Sequence, residues 1–379
     1  MQPQDLNDYL NFDLNGISTW SDLEKQIKSF DMADTSLPSL YKDGFWLHGT
    51  GTLGVELATK CLSAGLPVLG FTDNSVKNQG VEILGLPVKA PGDVTDHVVI
   101  CVYKYLQYEP LISTNYPQGC SSYAHLLLAF PEVLLPHWCL VAPSKAFFEN
   151  NSREYKVLVE RISNPLHKIE FMKQIASRSF LGILTSDQSD PSNREYLGGT
   201  LAERHGLEII LDIGAFDGDT AIRFCEYFEN RDIQVIAVEP DQENFRKLMI
   251  NSSRYPGLIK PLNLLIGNDI GLFPFFGDGS KASNIYGDAN QLIPGMKVDD
   301  LFEKVRFTRI KMDVEGFEKV VLDGSLKTIS SLSTSWAIST YHKPEDLLEI
   351  PQYFGEDYDI EVFSHSGRPW DTAYSFIPR

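Results

Sequence analysis

Three groups of acidic residues, each at the end of an apolar run, are the side chains of this sequence best placed to do chemistry. The first lies in Leu211-Asp212-Ile213-Gly214-Ala215-Phe216-Asp217-Gly218-Asp219-Thr220. Gly214 and Gly218 permit a sharp strand-to-helix turn and let a ligand approach the backbone. The N–H groups opening the next helix would face the crevice at the strand's carboxyl end, where open α/β sheets bind ligands. Asp212, Asp217 and Asp219 would repel a phosphate there but suit an ammonium or sulfonium group. The second group is Glu239, at the tip of the next strand and followed by Pro240. It could accept both hydroxyl hydrogens of a ribose, or merely favour the start of the following helix. The third is Asp313 with Glu315, delivered to the same sheet edge by Ile310-Lys311-Met312. These carboxylates could position an amino group, act as a base or hold a metal, although a metal is not required; an acid-rich helix start is the plainer reading. His342 follows a strand ending at Tyr341 on that edge. As neutral imidazole it could take a hydroxyl proton near pH 7; a ring fixed by a backbone carbonyl is the alternative. His365 and Trp370 could line an acceptor pocket or be ordinary packing residues.

A competing motif lies earlier. Gly49-Thr50-Gly51-Thr52-Leu53-Gly54 is a literal GxGxxG between a strand and a helix, with Asp73 ending the second strand. That is the context of a dinucleotide site, with Asp73 on the ribose. Taken alone it predicts an NAD-dependent oxidoreductase. The same glycines also serve plain tight packing of helix on strand.

The elements that must position these residues read as α/β throughout. Residues 1–44 form a polar lead-in, with Leu23, Ile27 and Phe30 at helical spacing. Over 45–142, strands at Phe45 to His48, Pro67 to Phe71 and His97 to Val102 enclose a helix with Val55, Leu57, Ala58, Cys61 and Leu62 on one face, a βαβ unit. A helical connector over 143–206 includes one helix from Tyr155 to Ala176 and a polar loop from Thr185 to Asn193. Over 207–379, strands are expected at Leu207 to Asp212, Gln234 to Val238, Leu262 to Ile266, Thr308 to Asp313 and Trp336 to Tyr341. Asp219 or Thr220 would cap one helix, and Pro240 with Asp241 would open another. Asp359 to Phe363 and Ala373 to Ile377 alternate as a closing antiparallel hairpin.

Composition narrows the classes. With 379 residues, 43% hydrophobic and 22% charged, the chain suits two globular domains. A net charge of -18 argues against nucleic acid as a partner. Five cysteines without CxxC spacing argue against a zinc site or a disulfide framework. No apolar run reaches membrane-spanning length and the first residues lack an apolar signal segment, so a cytoplasmic protein is expected. The oligomeric state is not legible.

The motifs from Asp212 to Thr220, Glu239-Pro240 and Lys311-Met312-Asp313-Val314-Glu315-Gly316-Phe317-Glu318 occur in order. Val321-Leu322 with Gly324 and Tyr341-His342-Lys343-Pro344-Glu345-Asp346-Leu347 with Ile350-Pro351 follow. Together they resemble the FkbM-type methyltransferase family over residues 208–379; Met312 departs from its usual β-branched residue. The resemblance implies a class I Rossmann-like sheet using S-adenosylmethionine, a ligand with an ammonium, a sulfonium and no phosphate. It implies methylation of a hydroxyl on a sugar, glycan or secondary metabolite. Asp212, Gly214, Ala215, Phe216, Asp217, Gly218, Asp219 and Thr220 would wrap the methionine part, Glu239 and Pro240 the ribose, Gly267 and Asn268 the adenine, and Asp313 would flank the methyl. His342, Asp313 or Glu315 would take the proton. Val68 to Asn74 with Gly85-Leu86-Pro87-Val88 is similar to small Rossmann domains of sugar-nucleotide-modifying enzymes. That similarity implies help in selecting a glycan or nucleotide-sugar acceptor, with Gly49, Gly51, Gly54 and Asp73 as a second nucleotide site. The expected architecture is two Rossmann-like domains, the second a class I methyltransferase sheet closed by an antiparallel hairpin.

Overall fold

The computed structural model describes residues 16–29, 37–101, 114–130, 133, 145–179, 196–197, 206–228, 232–277, 279, 289–343, 345–364 and 371–379. Phe30, Cys139, the loop from Thr185 to Asn193, Pro344, His365 and Trp370 lie outside the described residues. The chain divides into two units, Met1–Asn150 with Lys173–Ser186, and Asn151–Met172 with Asp187–Arg379.

In the first unit, β1 (Phe45–His48), β2 (Val68–Thr72), β3 (Glu82–Ile83), β4 (Leu86–Lys89), β5 (His97–Ile100) and β6 (Cys120–Ser122) form one sheet in the order β3-β4-β2-β1-β5-β6. β1 runs parallel to both β2 and β5, and all four of its residues are buried, as the centre of a parallel sheet requires. Helix α1 (Thr52–Ser63) buries Leu53, Leu57, Ala58 and Cys61. Leu62, expected on that face, is 40% exposed. An expected helical lead-in is present as Trp20–Ser29, with Leu23 and Ile27 buried.

The second unit carries the larger sheet. Its strands are β7 (Glu208–Ile213), β8 (Ile233–Val238), β9 (Ile259–Leu262), β10 (Leu265–Ile266), β11 (Gly271–Phe275), β12 (Gln291–Met296), β13 (Arg309–Met312), β14 (Ser335–Ser339), β15 (Tyr358–Ser364) and β16 (Thr372–Pro378). Seven of them align as β15-β16-β14-β13-β7-β8-β9. The five from β14 to β9 are parallel, while β16 pairs antiparallel with both β14 and β15. The expected closing hairpin is therefore present, with its second strand inserted inside the sheet. Strand order reverses between β7 and β13, and such a switch point opens a crevice at the carboxyl ends of the strands.

Two expected continuous elements are broken. The helix expected from Tyr155 to Ala176 is two, Ser152–Arg161 and Pro165–Ser179. Pro165 cannot donate within a continuing helix but fits a first turn, and Asn164 Oδ1 accepts from Leu166 N at 2.9 Å. The strand expected from Leu262 to Ile266 is split between β9 in the large sheet and β10 in a three-stranded sheet ordered β10-β12-β11.

Candidate active site

The glycine turn leaves β7 at the switch point and enters helix α2 (Asp219–Tyr227). Gly214 has φ +76°, and a Cβ there would lie 1.9 Å from the Asp313 carbonyl oxygen, so only glycine lets the ends of β7 and β13 meet. Gly218, at φ +90°, is the helix cap in place of the expected Asp219 or Thr220; Asp217 Oδ1 instead accepts from Asp219 N at 3.3 Å. Phe216 also takes a left-handed backbone, φ 49°.

Asp212 is placed differently from expectation. It is fully buried beneath the turn, where its carboxylate meets the Lys311 ammonium at 3.0 Å. Lys311 Nζ also donates to the Gly214 carbonyl at 2.8 Å. Burial works against the ammonium, but Asp212 and then Asp313 hold it protonated above its ordinary range. The Asp212 carboxylate is thus engaged with Lys311 at full burial. Of the other expected donor residues, Ala215 and Thr220 are buried, while Gly214, Phe216 and Asp217 are partly open and Asp219 is exposed.

Glu239, at the end of β8, is 6% exposed. Its Oε2 accepts from Phe216 N and its Oε1 from Asp241 N, each at 2.9 Å, so it ties the glycine turn to the next loop. Burial pushes its carboxyl up to about 7 against those two donors. Asp241 caps helix α3 (Gln242–Ser252), accepting from Glu243 N at 2.8 Å and Asn244 N at 2.9 Å. Gly267 is buried and Asn268 is exposed after β10.

After β13 the chain turns into helix α4 (Glu318–Asp323) through Glu315 at φ 51° and Gly316 at φ 89°. The structure brings Asp313, Glu315 and His342 together. His342 Nε2 lies 3.4 Å from Asp313 Oδ1 and 3.6 Å from Glu315 Oε2, and Nδ1 lies 2.8 Å from Glu318 Oε1. Tyr341 OH and Tyr196 OH each donate to Asp313 at 3.2 Å. Burial works against the Asp313 carboxylate, but His342 and Lys311 hold its carboxyl below the usual range. For His342, burial pulls the imidazole down, but the charge and hydrogen bond of Glu318, then Asp313 and Glu315, raise it to about 10. These surroundings favour the protonated ring over the neutral imidazole expected from sequence. Asp313, Glu318 and His342 also offer ligand atoms within 4.8 Å of one another, close enough for a cation, although the two ring nitrogens face different carboxylates.

In the first unit, Gly49, Gly51, Gly54 and Asp73 do come together. A Cβ on Gly54 would lie 2.0 Å from the Gly49 carbonyl oxygen, whereas one on Gly51 would meet nothing within 4 Å. Asp73, however, is engaged by its own loops: Oδ2 accepts from Thr50 N, Thr50 Oγ1 and Asn78 Nδ2, and Oδ1 from Ser75 N. Burial opposes its charge, but these bonds hold its carboxyl below the usual range. Its Oδ2 is filled by three donors, which leaves a ribose hydroxyl only the second lone pair of Oδ1.

Residues 212–360 match the family described as the Methyltransferase FkbM domain. This stretch is an FkbM methyltransferase domain. A 162-residue segment is 26% identical to hexuronic acid methyltransferase AglP of Haloferax volcanii, covering 41% of this chain and 65% of that protein. The methyltransferase FkbM of Methylobacillus flagellatus KT superposes with a TM-score of 0.76 at 19% identity, over 99% of this chain and 100% of that one, which shows the shared fold. The oxidoreductase alternative gains no support from these matches.

Three residues around the FkbM domain's site were not singled out by sequence. Tyr196 lies in the expected connector, far in sequence from its partner Asp313, and nothing local marks it. Asn263 Nδ2 donates to the carbonyls of Glu239 and Pro240, each at 2.9 Å, fixing the end of β8. Lys311 had a readable signal: a lone charge between Ile310 and Met312 in a buried strand must find an acid.

Proposed function

We propose that the FkbM domain transfers the methyl group of S-adenosylmethionine to a hydroxyl oxygen of a sugar. The observation that carries this reading is the gathering of Glu239, Asp313, Glu315 and His342 at the carboxyl edge of one parallel sheet, on both sides of its switch point. Partly open Asp217 and exposed Asp219 at the turn suit the donor's ammonium and sulfonium. Glu239 is the ribose partner, each of its oxygens keeping a lone pair beyond its backbone bond. Pro240 flanks the ribose, and Gly267 and Asn268 the adenine. The relative's name supplies the acceptor class, and a hexuronic acid is the first acceptor to try.

The acceptor oxygen attacks the sulfonium methyl in line: the oxygen–carbon bond forms as the carbon–sulfur bond breaks, leaving S-adenosylhomocysteine. Positioning supplies most of the acceleration. The hydroxyl proton becomes acidic as its oxygen shares an electron pair, so even a carboxylate is an adequate base. Glu315, 30% exposed, is the acceptor of that proton; Asp313 is pinned by two tyrosines and His342. In this reading the first unit, with Gly49, Gly51 and Gly54, helps select the glycan or nucleotide-sugar. Among the described residues no helix is long and apolar enough to cross a membrane. The buried free thiols of Cys61, Cys101, Cys120 and Cys225 suit a reducing compartment, the cytoplasm.

The test is calorimetric titration with S-adenosylhomocysteine and, separately, NADH, followed by methyl transfer from labelled donor to hexuronic acid glycans. Micromolar S-adenosylhomocysteine binding that weakens in Glu239→Ala is the expected result. NADH binding lost in Gly51→Ala, with none of S-adenosylhomocysteine, would overturn the reading.

A further inference from the structure

Tyr196 sits in a turn outside residues 212–360, yet its side chain reaches the centre of the FkbM domain. Its backbone is left-handed, φ 62°, a conformation uncommon outside glycine that persists where the surroundings over-determine it. The surroundings here are a packed core: Tyr196 is 5% exposed and joins Leu197, Ile210, Phe224 and Ala337 in one cluster. Its ring centroid lies 5.4 Å from Lys311 Nζ, the ammonium that bonds the Gly214 carbonyl of the glycine turn.

The backbone of Asp313 is fixed without help from Tyr196. Its N–H donates to the Ile213 carbonyl at 3.1 Å, and its own carbonyl stands so close to Gly214 that no side chain fits between them. The carboxylate is a separate matter, because its plane turns readily about a broad torsion unless both oxygens are held. Oδ1 has Tyr341 OH at 3.2 Å and His342 Nε2 at 3.4 Å. Oδ2 has Tyr196 OH at 3.2 Å and Tyr341 OH at 3.4 Å. A carboxylate only accepts, so the Tyr196 phenol donates to it. Ser339 Oγ, fully buried and 2.7 Å from the same phenol oxygen, can then donate to the phenol. The Asp313 side chain keeps 25% of its surface open, enough to face a ligand.

We propose that Tyr196 is a positioning residue of the donor site, holding Asp313 Oδ2 so that the carboxylate plane stays turned to the sulfonium of S-adenosylmethionine. The inference rests on the methyl-transfer reading above, in which Asp313 flanks the methyl. Tyr196 is too buried to touch the donor and acts through Asp313. Without its hydroxyl the carboxylate keeps its Tyr341 and His342 contacts on the Oδ1 side and swings toward them. A residue that tunes the preference for a charged sulfur thus comes from the connector, before the matched domain begins.

Calorimetric titration with S-adenosylmethionine and with S-adenosylhomocysteine, both without acceptor, separates this role from packing. The two ligands share the adenosine and the amino-acid portion, and only the first carries a positive sulfur. Tyr196→Phe keeps the ring beside Lys311 and removes the hydroxyl. In that variant the Kd for S-adenosylmethionine is expected to rise about fivefold or more, and that for S-adenosylhomocysteine by less than about twofold. A residue that served only the fold would weaken both ligands alike. Equal losses, or two unchanged constants, therefore overturn the inference while leaving the methyl-transfer reading intact. If wild type binds neither ligand, that reading fails and the inference falls with it. Should Tyr196→Phe not fold, Ser339→Ala removes the hydroxyl behind the phenol. The same selective loss is then expected at about twofold, and an unmoved ratio of the two constants overturns the inference equally.

Discussion

The two glycine turns of this chain share one grammar, strand, turn, helix, next strand ending in an acid, yet different chemistry lies beneath them. Under the Gly49 turn the polar groups are neutral: Tyr116 OH bonds His48 Nδ1 at 2.7 Å and Thr72 Oγ1 at 2.6 Å, and burial holds the His48 imidazole below its ordinary range. Under the Gly214 turn lie a buried ammonium and a buried carboxylate. The acids after the second strand differ as well. Asp73 is consumed by four hydrogen bonds, whereas Glu239 spends one bond per oxygen and sits in a site that resists its charge. A neutral hydroxyl–imidazole network lies under one turn and a buried ion pair under the other. The same motif letters therefore say little until the groups beneath them are known.

The sharpest way to break this contrast is Asp212→Asn. It leaves the Lys311 ammonium buried without its closest partner, and chemical denaturation should show a loss of about 3–5 kcal/mol. A loss under about 1 kcal/mol would mean that the pair is not the foundation described here.

The next effect is a pH dependence. Between 4.5 and about 7 the folded protein keeps a proton on Glu239 that the unfolded chain has released. Stability from this group therefore declines as pH rises through that window, by up to about 3 kcal/mol, and is flat above it. Glu239→Gln should remove that decline in a pH series of denaturation curves; an unchanged slope would reassign it to other groups.

Much of this was readable beforehand, because buried parallel strands write themselves as apolar runs and their carboxyl ends carry the acids. Leu207 to Asp212, Gln234 to Val238 and Thr308 to Asp313 were legible for that reason, and so were Glu239, Asp313 and His342 as neighbours on one edge. What was not legible is pairing across the chain. Nothing near Tyr196 tells of Asp313, and nothing near Asp212 tells that Lys311 lies in register beside it. The protonated state of His342 depends on Glu318, Asp313 and Glu315 converging in space, which spacing alone does not reveal. The break before Pro165 was written in the sequence, since proline ends one helix as readily as it starts another.

Two smaller tests probe the quieter turn. Tyr116→Phe removes a hydroxyl shared by His48 and Thr72 and should cost about 1 kcal/mol, well short of Asp212→Asn in the same assay. Gly51→Ala meets open space and should change stability by no more than about 0.5 kcal/mol. If instead it abolishes binding of a nucleotide-sugar while leaving the melt untouched, the Gly49 turn also has a ligand, and the contrast becomes one of two sites rather than of site and scaffold.

The placement of β16 between β14 and β15 carries a consequence for biosynthesis. A ribosome delivers β15 before the strand that must sit inside it, so β15 has no partner in this sheet until β16 has emerged. Until then β14 presents an open edge, the kind that pairs with stray strands of other chains. The sheet that carries the acids is thus finished only once β16 has emerged, and a chain stalled short of Thr372 would be a candidate for aggregation rather than a partially active protein.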